Sequence, residues 1–95
     1  MGQSKHDQVA RRIAAQLGSE YNAGPGADVK ASGIRIEVET ERSVGEAGRQ
    51  LQGPGQVYVA GTDERAVQAA LERYENSTIG VMDEFGMVRK PSTRR

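Results

Sequence analysis

The sequence has no cysteine and no tryptophan, and only one phenylalanine and three tyrosines in 95 residues. Without cysteine there is no disulfide framework and no thiolate metal site, which fits a reducing compartment. With 36% hydrophobic residues and so few aromatics, the core must be built from Val, Ile, Leu and many Ala. That is a thin core for one domain of modest size, and a homodimer that buries more surface is expected to help it. No apolar run approaches the ~20 residues that cross a bilayer, and the opening MGQSKHDQ lacks an apolar signal segment. The expectation is a cytoplasmic protein with no membrane partner. No charge of one sign dominates either. Thirteen basic residues balance thirteen acidic ones, so overall electrostatics does not argue for nucleic acid. Lys5, Arg11 and Arg12 lie near the start and Arg89, Lys90, Arg94 and Arg95 near the end, and these read first as solvated charges. Asn76-Ser77-Thr78 matches a glycosylation sequon, which without a secretion signal reads as chance.

What the chain does have is one amphipathic ribbon, Gly26 to Glu41. Ser32-Gly33 reads as the two-residue turn of a β-hairpin. That register sets Ala31 opposite Ile34, Lys30 opposite Arg35, Val29 opposite Ile36, Asp28 opposite Glu37 and Ala27 opposite Val38. Because successive residues alternate sides, one face is wholly apolar: Ala27, Val29, Ala31, Ile34, Ile36 and Val38. The other carries Asp28, Lys30, Arg35, Glu37 and Glu39.

The remaining elements follow from periodicity. Ser4 to Leu17 is a helix with Val9, Ile13 and Leu17 on its apolar stripe, a Ser4/Asp7 capping box and a stop at Gly18. Glu20 to Gly26 is a loop. Ser43 with Glu46 predicts a second capping box, opening a helix to about Gln52 that Gly45 and Gly48 weaken by about 1 kcal/mol each. Gln56 to Ala60 is a strand, and a third helix follows, capped by Thr62 or Asp63 and carrying Val67, Ala70, Leu71 and Tyr74 at i, i+3, i+4 and i+7. Thr78 to Met82 is another strand, Asp83 to Gly86 a turn, and Met87 to Lys90 an edge strand ended by Pro91. The chain predicts an α/β domain over residues 1–91, with a mixed sheet of four to five strands and a flexible basic tail at 92–95. Strands separated by helices should pair in parallel, and the hairpin antiparallel.

Three carboxylates at one end of the hairpin's polar face suit a hard cation such as Mg²⁺, which takes oxygen ligands and water. Asp28 and Glu37 face each other with side-chain origins about 5 Å apart, and Glu39 points the same way. A cation would relieve their repulsion and could activate water and stabilise phosphoryl charge. Lys30 and Arg35 could hold a phosphodiester backbone. The competing reading is a polar face that is simply solvated.

This order of elements, with Gly26-Ala27-Asp28 and Ile36-Glu37-Val38-Glu39, resembles the PD-(D/E)XK nuclease-like superfamily of restriction endonucleases and archaeal Holliday junction resolvases. The resemblance implies a restriction endonuclease-like fold and Mg²⁺-dependent cleavage of nucleic-acid phosphodiesters. Asp28 and Glu37 would be the metal ligands and, with Glu39, the catalytic set. Glu39 stands where the family usually has the lysine that orients or activates water, and Ala27 stands where proline is usual. The family's first helix often adds an acid, for which Asp7 or Glu20 could serve. The alternative expectation is a catalytically inactive module that binds nucleic acid or protein. His6, the only histidine, reads as solvated or capping. Gly24-Pro25-Gly26 and Gly53-Pro54-Gly55 lack the strand–loop–helix context of a phosphate loop and read as turns.

Overall fold

Val9, Ala10, Ile13 and Ala14 are buried along one stripe of α1, Lys5–Gln16, and Ser4 caps this helix by accepting the Asp7 amide at 3.2 Å. The computed structural model describes residues 4–23, 27–31 and 33–95. The Gly24-Pro25-Gly26 part of the first loop and Ser32 of the hairpin turn therefore lie outside the described residues. After α1 come β1 (Val29–Ala31) and β2 (Ile34–Glu39), then a 3-10 turn, Val44–Glu46, that runs into α2 (Ala47–Gln50). β3 (Gln56–Gly61), α3 (Glu64–Arg73), β4 (Gly80–Met82) and β5 (Val88–Lys90) complete the chain.

The five strands lie in sequence order in one mixed sheet, β1-β2-β3-β4-β5. The two central pairings are parallel and the two outer ones antiparallel, as strands joined by helices or by tight turns require. The hairpin register is the expected one, with Val29 against Ile36, Lys30 against Arg35 and Ala31 against Ile34. Gly33 takes φ 72°, a conformation glycine adopts without steric cost.

Both faces of the sheet are covered. On one, Ile36 and Tyr58 pair, as do Val38 and Ala60, and they pack with Val29 and Met82 against the α1 stripe. On the other, Val57, Val59 and Val81 meet Val44, Ala47 and Leu51 from the 3-10 turn and α2, and Ala66, Val67 and Ala70 from α3. The hairpin's polar face is on this second side, since Arg35 pairs with Val57 and Glu37 with Val59. Hence the solvated-face expectation fails at its acidic end: Glu37 is 2% exposed and Glu39 7%. The reason is topological, because β2 is an interior strand, and α2 packs on the side that an isolated hairpin would show to water.

The second helix departs from expectation in its cap and its length. Ser43 has helical backbone angles (φ −107°, ψ 0°) and no capping bond to the turn it precedes. Its hydroxyl instead accepts the Thr40 amide at 3.0 Å. The helix shrinks to a 3-10 turn and one α turn, consistent with the cost of two glycines, and is held from outside. Buried Tyr74 donates its hydroxyl to Val44 O at 2.6 Å and accepts the Gly48 amide at 3.0 Å. Tyr74→Phe removes both bonds, leaving Val44 O with only the Ala47 amide, and is expected to cost about 1 kcal/mol, read as a lower urea midpoint at unchanged slope. Asp63, not Thr62, caps α3, accepting the Ala66 amide at 2.9 Å.

Residues 92–95, expected as a flexible tail, carry several contacts. The Ser92 hydroxyl accepts from Val57 N and donates to Thr78 O, and the Arg94 guanidinium reaches Leu51 O, Gly53 O and the Thr78 hydroxyl. Among the described residues no helix is long and apolar enough to cross a membrane.

Candidate functional site

The β1–β2 ladder stops at Val29, and beyond it side chains replace backbone pairing. The Asp28 amide donates to Glu37 Oε1 at 3.1 Å, and the Val38 amide donates to Asp28 Oδ2 at 2.9 Å. Each carboxyl group thus takes an amide from the opposite chain, which fixes both side chains at the open end of the hairpin. Ala27 is buried beside them.

Glu37 Oε2 is buried and has no hydrogen-bond partner among the described residues. Burial, followed by the nearby Asp28 charge, pushes the Glu37 carboxyl up to about 8. Burial also raises Glu39, with the Ser43 hydroxyl pulling the other way and the Asp28 charge adding to the rise. Both effects favour the neutral form of the Glu37 carboxyl. Glu39 sits at the end of β2 opposite Gly61, on the same side as Glu37.

A residue expected to be solvated or to cap a helix joins this pair. His6, in the first turn of α1, places Nε2 3.1 Å from Asp28 Oδ2 and Nδ1 3.3 Å from Asp7 Oδ1. The Tyr21 hydroxyl donates to Asp7 Oδ1 at 2.8 Å and lies 3.5 Å from His6 Nδ1. Burial opposes the imidazolium, but the Asp28 charge and the hydrogen bonds to Asp7 and Asp28 outweigh it and raise the His6 pKa. Tyr21 is pushed up to about 12 by burial and by its bond to Asp7. Of the two acids considered for the first helix, Asp7 enters this network, while Glu20 lines an open cleft of about 540 Å³ with Ser19, Tyr21, Asn22 and Lys30. A lone histidine with no spacing partner carries no sequence signal for such a role. Only the return of the chain after α1 brings it to Asp28.

The two basic candidates separate. Lys30 is exposed, and its carbonyl accepts the Ser19 hydroxyl. Arg35 turns to the Gly-Pro-Gly loop, donating from Nη1 to Gln52 O at 2.7 Å and from Nη2 to Pro54 O at 3.2 Å and Gly53 O at 3.3 Å. These carbonyls resolve the Lys30–Arg35 repulsion.

Among the described residues no three His, Cys, Asp or Glu side chains form a group that could hold a metal ion. Mg²⁺ is commonly held by one or two carboxylates, with water completing its shell. The Asp28–Glu37 pair, with the orphaned Glu37 Oε2 and two acids raised by burial and mutual charge, has the donor chemistry of such a site. Compared with protein-family models, curated proteins and solved structures, the chain matches none of them.

Proposed function

We propose that this chain is a nuclease-like domain that cleaves nucleic-acid phosphodiesters with a divalent cation, Mg²⁺ being the natural choice. The observation that carries the reading is the unpartnered oxygen of Glu37, buried against Asp28, on the two residues that match the PD-(D/E)XK pattern. A buried polar atom without a partner costs on the order of 1–3 kcal/mol, and a cation that displaces the Glu37 proton would give that oxygen a use. Asp28 and Glu37 would hold the cation. When bound, it supplies Lewis-acid stabilisation of phosphoryl charge and a more acidic water. Glu39, in the usual lysine position, would orient that water or accept its proton. Its own carboxyl is raised by burial, which brings it nearer the working range of a general base. Lys30, exposed beside the open cleft, would steer the phosphodiester backbone.

Asp28→Asn and Glu37→Gln are expected to lower Mn²⁺-supported cleavage of a labelled oligonucleotide by at least ~10²-fold, with circular dichroism unchanged. Wild-type protein that neither binds Mn²⁺ by calorimetry nor cuts any single- or double-stranded DNA or RNA overturns the reading.

The buried Glu39 in place of an extended lysine favours a second reading, an inactive module that binds nucleic acid or protein. That reading requires an oligonucleotide shift, or a co-purifying partner, unaffected by EDTA.

A further inference from the structure

His6 is the one member of the cluster that comes from neither hairpin strand. Its ring is fixed on two sides. Nε2 faces Asp28 Oδ2 at 3.1 Å, and on the opposite edge Nδ1 lies 3.3 Å from Asp7 Oδ1, itself held by the Tyr21 hydroxyl at 2.8 Å. The Tyr21 ring meets the imidazole edge-on at 6.0 Å between centroids, and the Arg11 guanidinium lies 5.4 Å from the Tyr21 ring centre. Tyr21 is anchored in turn by a bridge to Val29 on the outer edge of β1. Ser4 fixes the start of the helix that presents His6. Apart from Asp28 itself, the side chains that touch the imidazole come from α1 and from the chain that follows it.

Asp28 needs such a restraint. Its backbone is held, the carbonyl accepting the Asn22 amide at 2.7 Å and the amide donating to Glu37 Oε1 at 3.1 Å, but neither bond sets the rotation of its carboxylate. Its Oδ2 has two neighbours, the Val38 amide and His6 Nε2. The amide fixes the distance to β2, and the imidazole fixes the carboxylate's orientation about that bond.

We infer that His6 is a positioning residue for Asp28: with Asp7 and Tyr21 it forms an outer shell that holds the Asp28 carboxylate in its orientation toward Glu37. This deepens the proposed function and rests on it for the metal, while the restraint on Asp28 stands in the metal-free protein too. Outer-shell partners of ligands are worth about 10–100-fold in metal affinity when removed. A histidine that serves only the helix N-terminus would not move metal affinity.

The test measures Mn²⁺ binding by calorimetry and the Val38 amide by ¹⁵N NMR in wild type, His6→Ala and His6→Gln, the last placing an amide nitrogen near the Nε2 position. His6→Ala is expected to weaken Mn²⁺ binding by 10–100-fold, and His6→Gln to recover part of it. In metal-free protein, His6→Ala should shift the Val38 amide and speed its exchange while the α1 amides stay put. Equal Mn²⁺ affinity in wild type and His6→Ala overturns the inference. If wild type binds no Mn²⁺, the metal reading falls by itself, and the Val38 amide decides: a shift upholds the restraint on Asp28, and an unmoved amide overturns it.

Discussion

Gly61→Ala is expected to destabilise the protein by about 3 kcal/mol, above the usual effect of an added methyl. Gly61 ends β3, where α3 crosses closest. A Cβ built there lies 2.6 Å from Val67 N, 2.8 Å from Val67 Cγ2 and 3.0 Å from Ala66 C. Two of these are backbone atoms of a helix whose Val67 and Ala70 are fully buried, so rotating a side chain cannot relieve the contact. Either α3 lifts from the sheet or β3 bends. For a domain of this size each kcal/mol corresponds to roughly 4–8 °C, so Tm should fall by about 12–24 °C. Gly48→Ala is the control. Its nearest neighbour is the Tyr74 hydroxyl at 3.5 Å, an ordinary contact inside a helix, and the exchange should be neutral or stabilise by up to about 1 kcal/mol. Equal midpoints for wild type and Gly61→Ala in thermal and urea unfolding would contradict the close approach. Because Gly61 pairs with Glu39, the substitution should also perturb the acidic cluster.

Between about pH 5 and pH 8 the metal-free protein is expected to lose stability as pH rises, and Glu37→Gln is expected to remove most of that slope. The Glu37 carboxyl stands at about 8 in the folded protein, against an ordinary 4.5. A group whose folded pKa is raised keeps its full contribution below the unfolded value. In this window the folded state holds the proton and the unfolded state does not, so the contribution falls as pH rises from about 4.5 to about 8. At about 1.4 kcal/mol per unit the full span corresponds to several kcal/mol. His6 acts in the same direction, since its raised pKa gives stability present below its unfolded value and lost as pH climbs through the folded one. Glu39, also raised, adds to the decline. Glu37→Gln keeps the shape, cannot ionise, and leaves only the His6 and Glu39 contributions. Urea unfolding of both proteins at pH 5, 6, 7 and 8 reads the effect directly. A wild-type stability flat across this range, or a Glu37→Gln slope matching wild type, would place the Glu37 proton elsewhere.

Local rules were enough for much of this molecule. Serine with a stripe of Val, Ala and Ile four residues apart makes α1, an alternating ribbon with glycine at its turn sets the β1–β2 register, and Gly53-Pro54-Gly55 separates helix from strand. These are short-range effects of backbone stereochemistry and periodic burial, and both act between residues near in sequence. The facing of Asp28 and Glu37 follows from the same register. Four features did not follow from local rules. Ser43 looks like a cap in sequence, yet the 3-10 turn after it is held by Tyr74, 30 residues away. Arg35 looks like a phosphate ligand until the loop carbonyls of residues 52–54 reach it. Among the described residues His6 has no partner within a helical turn except Asp7, and 22 residues separate it from Asp28. Glu37 and Glu39 lie on the charged face of an amphipathic ribbon, and nothing within the ribbon says that later elements will pack on it. The sequence by itself determined the order of the elements, the hairpin register and the proximity of two acids. Only the tertiary structure decided that Glu37 is buried, that one of its oxygens lacks a partner and that a histidine reaches Asp28. Burial and long-range contacts depend on which elements stack, and they set the protonation that gives the cluster its chemistry.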